Sequence, residues 1–222
     1  MSIHKFTFAS IDNGISDSEK MMMLEEVYAL EDSYHHYNEF RGCRMIPIYN
    51  STGRLGTHRP IKTSELQYTP AGDRCPIIRR VCEDKIFPWM SVPGRVTILR
   101  TEKNQGLNVH VDCSSREVNS LQHKYRVVLN GVVDKLYFLN EKQDRVYVPK
   151  NYDSYVLDGG HPHSIDPSDE EKITLCVGAP WHGEDNDDYR RMCEESSFVM
   201  RVKKPEIRPE WVNPVLKRST ND

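Results

Sequence analysis

Two phrases decide how this 222-residue chain is read: Asn108-Val109-His110-Val111-Asp112, and Gly159-Gly160-His161-Pro162-His163-Ser164. On a β-strand side chains alternate with period two, so His110 and Asp112 point to the same face and can reach one ion. The second phrase places His163 51 residues beyond Asp112, with His161 as the other candidate donor. Two histidines and one carboxylate make a facial set that leaves the remaining positions of an octahedral iron open to substrate and O2. A run rich in β-formers precedes the first phrase (Arg95-Val96-Thr97-Ile98-Leu99-Arg100), and another follows the second (Lys172-Ile173-Thr174-Leu175-Cys176-Val177).

Outward from these phrases, β-rich runs recur at 95–101, 107–112, 124–129, 134–139, 145–148, 154–158 and 172–178. Turn signals such as Asn130-Gly131 and the polar 140–144 stretch punctuate them, which predicts a sandwich or barrel. The expected fold class is mainly β with flanking helices: a double-stranded β-helix, or cupin-like jelly roll, as one domain over 1–222 with its core at 95–181. Ser16 and Glu19 form a candidate capping box, and Met23, Val27, Leu30, Tyr34 and Tyr37 recur at helical spacing, so the N-terminal region, 1–42, reads as a helix ended by Gly42. Arg44–Tyr49 reads as a strand pushed to a sheet edge by Pro47. Residues 50–93 are dense in Gly and Pro and read as an irregular, lid-like segment with one short helix near 77–87. The acidic stretch Glu184–Asp188 suits the start of a helix, Phe198–Val202 a strand, and 203–222 an extended tail.

These motifs resemble those of the 2-oxoglutarate- and Fe(II)-dependent oxygenases, most like the aspartyl/asparaginyl β-hydroxylase branch and related small bacterial or viral oxygenases. The matching elements are His110-x-Asp112, His163, and Lys172 nine positions later with Thr174 two further on. The resemblance implies Fe(II) as cofactor, 2-oxoglutarate as cosubstrate, and O2, with His110, Asp112 and His163 as metal ligands and catalytic residues. The spacing to Lys172 favours His163 over His161 as distal ligand, leaving His161 a supporting or substrate-facing role. A buried cation must meet the distal carboxylate of 2-oxoglutarate, since an unpaired buried anion is costly. Two residues compete for that role: Lys172, with Thr174 on the same face of its strand, and Arg126, whose planar fork suits a carboxylate. The implied activity is hydroxylation of an unactivated C–H bond; the resemblance suggests an amino acid or peptide side chain, with other small molecules open. The carboxylate of Asp112 favours hydroxylation, because related iron halogenases lack it. Alternative readings are a catalytically silent jelly-roll binding protein, or a cupin-type metalloenzyme that uses no 2-oxoglutarate.

Composition narrows the partners. A formal net charge of −3 argues against general nucleic-acid binding. Residues 41–80 nevertheless hold eight Lys and Arg against Glu65 and Asp73, a basic segment able to face an anionic substrate. No apolar run approaches the length of a membrane helix, and no apolar leader opens the chain, so a cytoplasmic protein is expected. Six dispersed cysteines, without a Cys-x-x-Cys pair, are expected to be reduced. His123 and Trp181 are given no reactive role.

Overall fold

From Lys172 to Gly178 the chain alternates two kinds of environment. Ile173, Leu175 and Val177 are buried in the main hydrophobic cluster, while Lys172 and Thr174 line a cavity on the opposite side. This one strand separates an apolar layer from a polar one, and the rest of the architecture extends both. The computed structural model describes residues 6–51, 53, 66–90, 93–112, 123–149, 152–178 and 187–212.

In chain order the strands are β1 (Phe8–Ser10), β2 (His36–Asn38), β3 (Cys43–Asn50), β4 (Gln67–Tyr68), β5 (Val96–Thr101) and β6 (His123–Asn130), followed by β7 (Leu136–Leu139), β8 (Arg145–Tyr147), β9 (Ser154–Asp158), β10 (His163–Ile165), β11 (Lys172–Gly178) and β12 (Val199–Met200). The helices are α1 (Asp17–Tyr28), α2 (Pro70–Asp73), α3 (Pro76–Val81) and α4 (Asp187–Glu195). A nine-stranded sheet runs β12-β1-β9-β6-β11-β5-β3-β2, with β4 added to β3; a second sheet of three strands runs β10-β7-β8. All ladders are antiparallel. The fold is the mainly-β jelly roll with flanking helices expected from the alternating runs.

The outer face of the large sheet carries Ile46, Ile48, Val96, Ile98, Tyr125 and Val127, all buried against Met23 and Val27 of α1 and Ile78, Val81, Cys82 and Ile86 of the α3 region. A second cluster, including Phe8, Val128, Leu136, Phe138, Tyr155 and Leu157, fills the space between the sheets. The site lies between the sheets, where inward side chains of both converge.

Several expectations are corrected. The capping box is present: Ser16 Oγ accepts from the Glu19 amide and the Glu19 carboxylate accepts from the Ser16 amide. The helix it starts ends at Tyr28, however, rather than at Gly42. The helical spacing of Tyr34 and Tyr37 loses to strand pairing, because His36, Tyr37 and Asn38 form β2 against Met45, Arg44 and Cys43. Gly42, at φ +79°, serves the turn between these strands, its amide donating to the Asn38 carbonyl. Pro47 does not make β3 an edge strand; it lies at a register shift between β3 and β5, where its missing N–H costs no ladder bond.

The lid-like reading of 50–93 also changes. Ala71, Cys75, Ile78, Val81, Cys82, Ile86 and Met90 are core residues, so 66–90 is scaffold, and residues 54–65 lie outside the described residues. The tail has no regular structure from 203 to 208 and then forms a 3-10 turn at Pro209–Trp211, and it docks: Pro205, Trp211 and Val212 are buried. Cys113, Trp181 and 213–222 lie outside the described residues, as does the Glu184–Asn186 start of the expected C-terminal helix. Cys43, Cys75, Cys82 and Cys176 are free thiols.

The seat of α2 on β3 gives a direct test of packing. A Cβ on Gly72 would sit 2.2 Å from the Ile48 carbonyl oxygen, which is backbone and cannot swing aside. Gly72→Ala is therefore expected to cost about 1–3 kcal/mol, read as a lowered urea midpoint with little change in the slope.

Candidate metal centre

His110 does not lie on a regular strand, contrary to the expectation for 107–112. Successive amides bond to different partners: Leu107 to Ile165, Asn108 to Arg41, His110 to His163, Val111 to Trp211 and Asp112 to Gly159. With a new partner at almost every step, no ladder can propagate, yet each residue is fixed. His110 and His163 exchange both backbone bonds at 3.1 Å. Opposite residues of such a pair project to one face, so the pairing by itself brings the two rings together, with centroids 4.6 Å apart.

The amides of Asp112 and Val111 tie this stretch to distant elements. The Asp112 amide reaches the Gly159-Gly160 turn, which is shaped by Asp158: its carboxylate accepts from the Gly160 amide at 2.8 Å and its carbonyl from the His161 amide. On the other side Val111 pairs with Val212, and Trp211 packs with Val109, Tyr137 and Leu139. The tail thus braces the strand segment that carries His110.

His110, Asp112 and His163 offer donor atoms that all lie within 4.8 Å of one another. Each histidine Nδ1 is 2.7 Å from a backbone carbonyl, Asn108 for His110 and His161 for His163. A carbonyl can only accept, so Nδ1 donates and Nε2 keeps its lone pair. Those Nε2 atoms face Asp112, at 3.6 Å for His110 and 3.8 Å for His163. Burial, then the neighbouring His110, pushes His163 down to about 3, so it is neutral through the physiological range. A neutral His163, a second imidazole held in place through its Nδ1 and an ionised carboxylate make a donor set that suits a divalent ion.

Burial alone would push the Asp112 carboxyl up. The charge of Arg41, the contact with His110 and the charge of Arg126 outweigh it and hold the group well below the usual carboxylate range. Arg126 Nη2 donates to Oδ2 at 2.9 Å, and Arg41 pairs with Oδ1. Arg126 comes from β6, whereas Arg41 arrives from the β2–β3 turn, 71 residues away in sequence.

The cavity beside this set is lined by residues of both sheets, among them Arg126, Tyr155, Lys172 and Thr174 from the large one and Leu136, His163 and Ile165 from the small one. Lys172 is 5% exposed, and its Nζ has no hydrogen-bond partner among the described residues; neither has Arg126 Nη1. Burial, then the charge of Arg126, pushes Lys172 down to about 8, against the opposing pull of Asp134. Buried donors without partners are costly in a native protein, and they mark where an acceptor belongs.

His161 is buried but turned away: its Nε2 lies 2.7 Å from the Leu139 carbonyl and its ring meets Phe138 edge-on. It acts on the site through its backbone oxygen, which fixes the His163 tautomer, and not as a substrate-facing side chain. The basic segment 41–80 does not form a patch either. Arg44 pairs with Glu102, Arg74 with Glu31 and Arg79 with Asp73, while Arg54, Arg59 and Lys62 lie outside the described residues. Arg41 alone of its described members reaches the centre. Sequence reading singled out neither Arg41 nor the Trp211 brace, because nothing in their local pattern points to a site.

No protein-family model and no curated protein matches this sequence. Solved structures do match in fold. A prolyl hydroxylase from Trichoplax adhaerens, in complex with a hypoxia-inducible-factor peptide fragment, superposes with a TM-score of 0.53 at 13% identity, covering 80% of this chain and 84% of that one. SnoK, a non-haem α-ketoglutarate-dependent carbocyclase of nogalamycin biosynthesis, gives 0.52 at 15% identity over 78% and 79%. HygX from Streptomyces hygroscopicus, solved with nickel and 2-oxoglutarate bound, gives 0.51 at 11% identity over 90% and 92%. The chain therefore has the fold of the 2-oxoglutarate/Fe(II) oxygenases. Among the described residues, no helix is long and apolar enough to cross a membrane.

The donor set predicts a metal-binding pattern. Alanine at His110, Asp112 or His163 is expected to weaken Ni(II) binding by at least ~100-fold in calorimetry, a larger loss than removal of an outer partner gives. His161→Ala should keep Ni(II) affinity within about tenfold while lowering the melting midpoint, because the Leu139 carbonyl loses its donor.

Proposed function

We propose that this chain is a non-haem Fe(II), 2-oxoglutarate-dependent oxygenase that hydroxylates an unactivated C–H bond of a small-molecule or peptide substrate. The observation that carries the reading is the unpartnered, buried Lys172 Nζ in the same cavity as His110, Asp112 and His163. A three-donor metal set next to a cation without an anion fits a dicarboxylate that chelates metal at one end and meets the cation at the other.

His110, Asp112 and His163 would hold Fe(II), which with 2-oxoglutarate and O2 supplies the oxidising power. The protein's own contribution is positional. Lys172, with the Thr174 hydroxyl two residues along the same face of β11, takes the distal carboxylate. Arg126 cannot serve as a simple alternative clamp, since one of its nitrogens already holds Asp112. It orients the carboxylate ligand and offers its free Nη1 to the cosubstrate. Leu99, Leu107, Leu136, Leu157 and Ile165 form the apolar lining that excludes water around these charges. A peptide in the Trichoplax neighbour supports peptide substrates as one candidate class, and side-chain hydroxylation of an amino acid is the finer form of the proposal.

The first test is the Fe(II)-dependent conversion of 2-oxoglutarate to succinate. Absence of turnover with intact 2-oxoglutarate binding would point to a binding protein of the same fold; absence of both would overturn the reading.

The two cations separate in one titration of 2-oxoglutarate into the anaerobic Fe(II) protein, followed by the charge-transfer absorbance of the chelate. Lys172→Ala should weaken 2-oxoglutarate by about 2 kcal/mol or more, roughly 30-fold, with metal affinity unchanged. Arg126→Ala should weaken both metal and 2-oxoglutarate, because it also releases Asp112.

A pH dependence follows from Lys172. The cosubstrate carboxylate favours the charged amine, so affinity is highest below about 8, where Lys172 is protonated, and falls as pH rises through that value. Lys172→Arg should flatten this slope, since a guanidinium stays charged across the range. A slope unchanged in that variant would remove Lys172 from the clamp.

A further inference from the structure

The cavity face of the large sheet carries more positive charge than 2-oxoglutarate can use. On β11 the inward positions are Lys172, Thr174, Cys176 and Gly178, and cross-strand partners share a face. Cys176 pairs with Arg126 of β6 on one side and with Thr97 of β5 on the other. One row further, Gly178 pairs with Lys124 of β6, and its amide donates to the carbonyl of Arg95, the residue immediately before β5. Arg95 and Lys124 therefore flank a glycine in a single row. The alternate residues, Val96 and Tyr125, are in the main core, which turns both cations to the face of the sheet that carries Arg126 and Lys172, beyond the residues that line the cavity itself.

Gly178 matters here because it has no side chain to keep the two apart. A Cβ on it would lie 3.4 Å from Lys124 Nζ, so the lysine extends across the glycine toward the strand of Arg95. Two like charges converging across one strand repel, and an arrangement of this kind calls for an anion between them. No described carboxylate lies within ion-pairing distance of either residue. Among the described residues the acid felt by both is Asp112, which is already shared by Arg41 and Arg126. Burial pushes Lys124 down to about 8; Asp112 opposes this, and Arg95, Arg126 and Arg41 add to it, so all four charges are felt at one point.

The order of rows along β11 gives the cluster a place in the reaction. Lys172 stands at one end, the Arg126 row that holds Asp112 lies between, and the Arg95–Lys124 row stands at the other end. Building on the function proposed above, we propose that Arg95 and Lys124, with Arg41 beside them, form a second anion subsite that receives a carboxylate or phosphate of the substrate. A bound divalent ion and the 2-oxoglutarate dianion cancel one another, so the excess positive charge at this end is left for the substrate. The oxidised C–H bond then belongs to a molecule anchored by its own anionic group, across the metal centre from the cosubstrate clamp.

The test uses the full chain, loaded anaerobically with Fe(II) and 2-oxoglutarate, and three probes: sulfate, benzoate and uncharged benzamide, each titrated by calorimetry. Sulfate or benzoate should bind and benzamide should not, the tighter of the two anions telling a phosphate-like group from a carboxylate. Lys124→Met and Arg95→Met should each weaken anion binding at least tenfold, Lys124→Arg should restore it to within threefold, and the 2-oxoglutarate chelate titration should stay within twofold of the unsubstituted protein. Equal anion binding in the Met variants, binding of benzamide comparable to benzoate, or no anion binding at all would overturn the subsite. If the chelate absorbance never forms, the oxygenase reading fails by itself, and the same titrations on unloaded protein still decide whether the subsite exists.

Discussion

A buried carboxylate between two guanidinium groups is the constraint on which the site depends. Asp112, with a side chain 1% exposed, would be protonated or expelled if burial were the only influence on it. Arg126 from β6 and Arg41 from the β2–β3 turn keep it ionised and fix its orientation. Breaking such a pair by removing one partner leaves an uncompensated charge in the interior, which costs about 3–5 kcal/mol. The two arginines therefore tie an N-terminal turn and a central strand to the segment that carries His110.

Backbone hydrogen bonding supplies the complementary half of the construction. The His110–His163 exchange pair joins a strand of the small sheet to a segment that belongs to neither sheet, so the two imidazoles meet without any help from their side chains. The Nδ1 contacts to Asn108 and His161 carbonyls then leave Nε2 on both rings as the available donor. In this arrangement the histidine phrase does two jobs: His163 presents a donor atom, and His161 supplies the carbonyl that sets its tautomer while its own ring is held by Leu139.

The large sheet divides the remaining labour by face. Its outer face is sealed by α1 and the α3 region, which buries Ile173, Leu175 and Val177 and makes β11 rigid. Its inner face can then hold lysine and arginine in positions that a looser scaffold would let relax into solvent. Segment 66–90, despite its density of Gly and Pro, contributes to that seal. Its irregularity comes from short helices joined through a π-turn at Cys82–Ile86 and a 3-10 turn at Phe87–Trp89, packed as core.

Much of this could be read from the chain. Alternation at 95–101, 124–129 and 172–178 is a local property, and it gave the jelly roll because period two leaves a strand only one apolar face to bury. The histidine and aspartate phrases were equally legible as candidate metal donors, since their chemistry is intrinsic to the residue types, and the fold brings the three side chains together. Tertiary structure decided what depends on partners distant in sequence. The helix stripe through Tyr34 and Tyr37 gave way because β3 needed a neighbour, and Pro47 escaped the edge because a register shift absorbed its missing donor. Arg41 became a partner of Asp112, and the tail at Trp211 and Val212 became a brace, only because the fold closed chain separations of 71 and 101 residues. Short-range pattern specifies which face a residue presents; which charge stands opposite it is settled by long-range pairing, and the sequence around Arg41 or Lys124 carries no periodic signal of that.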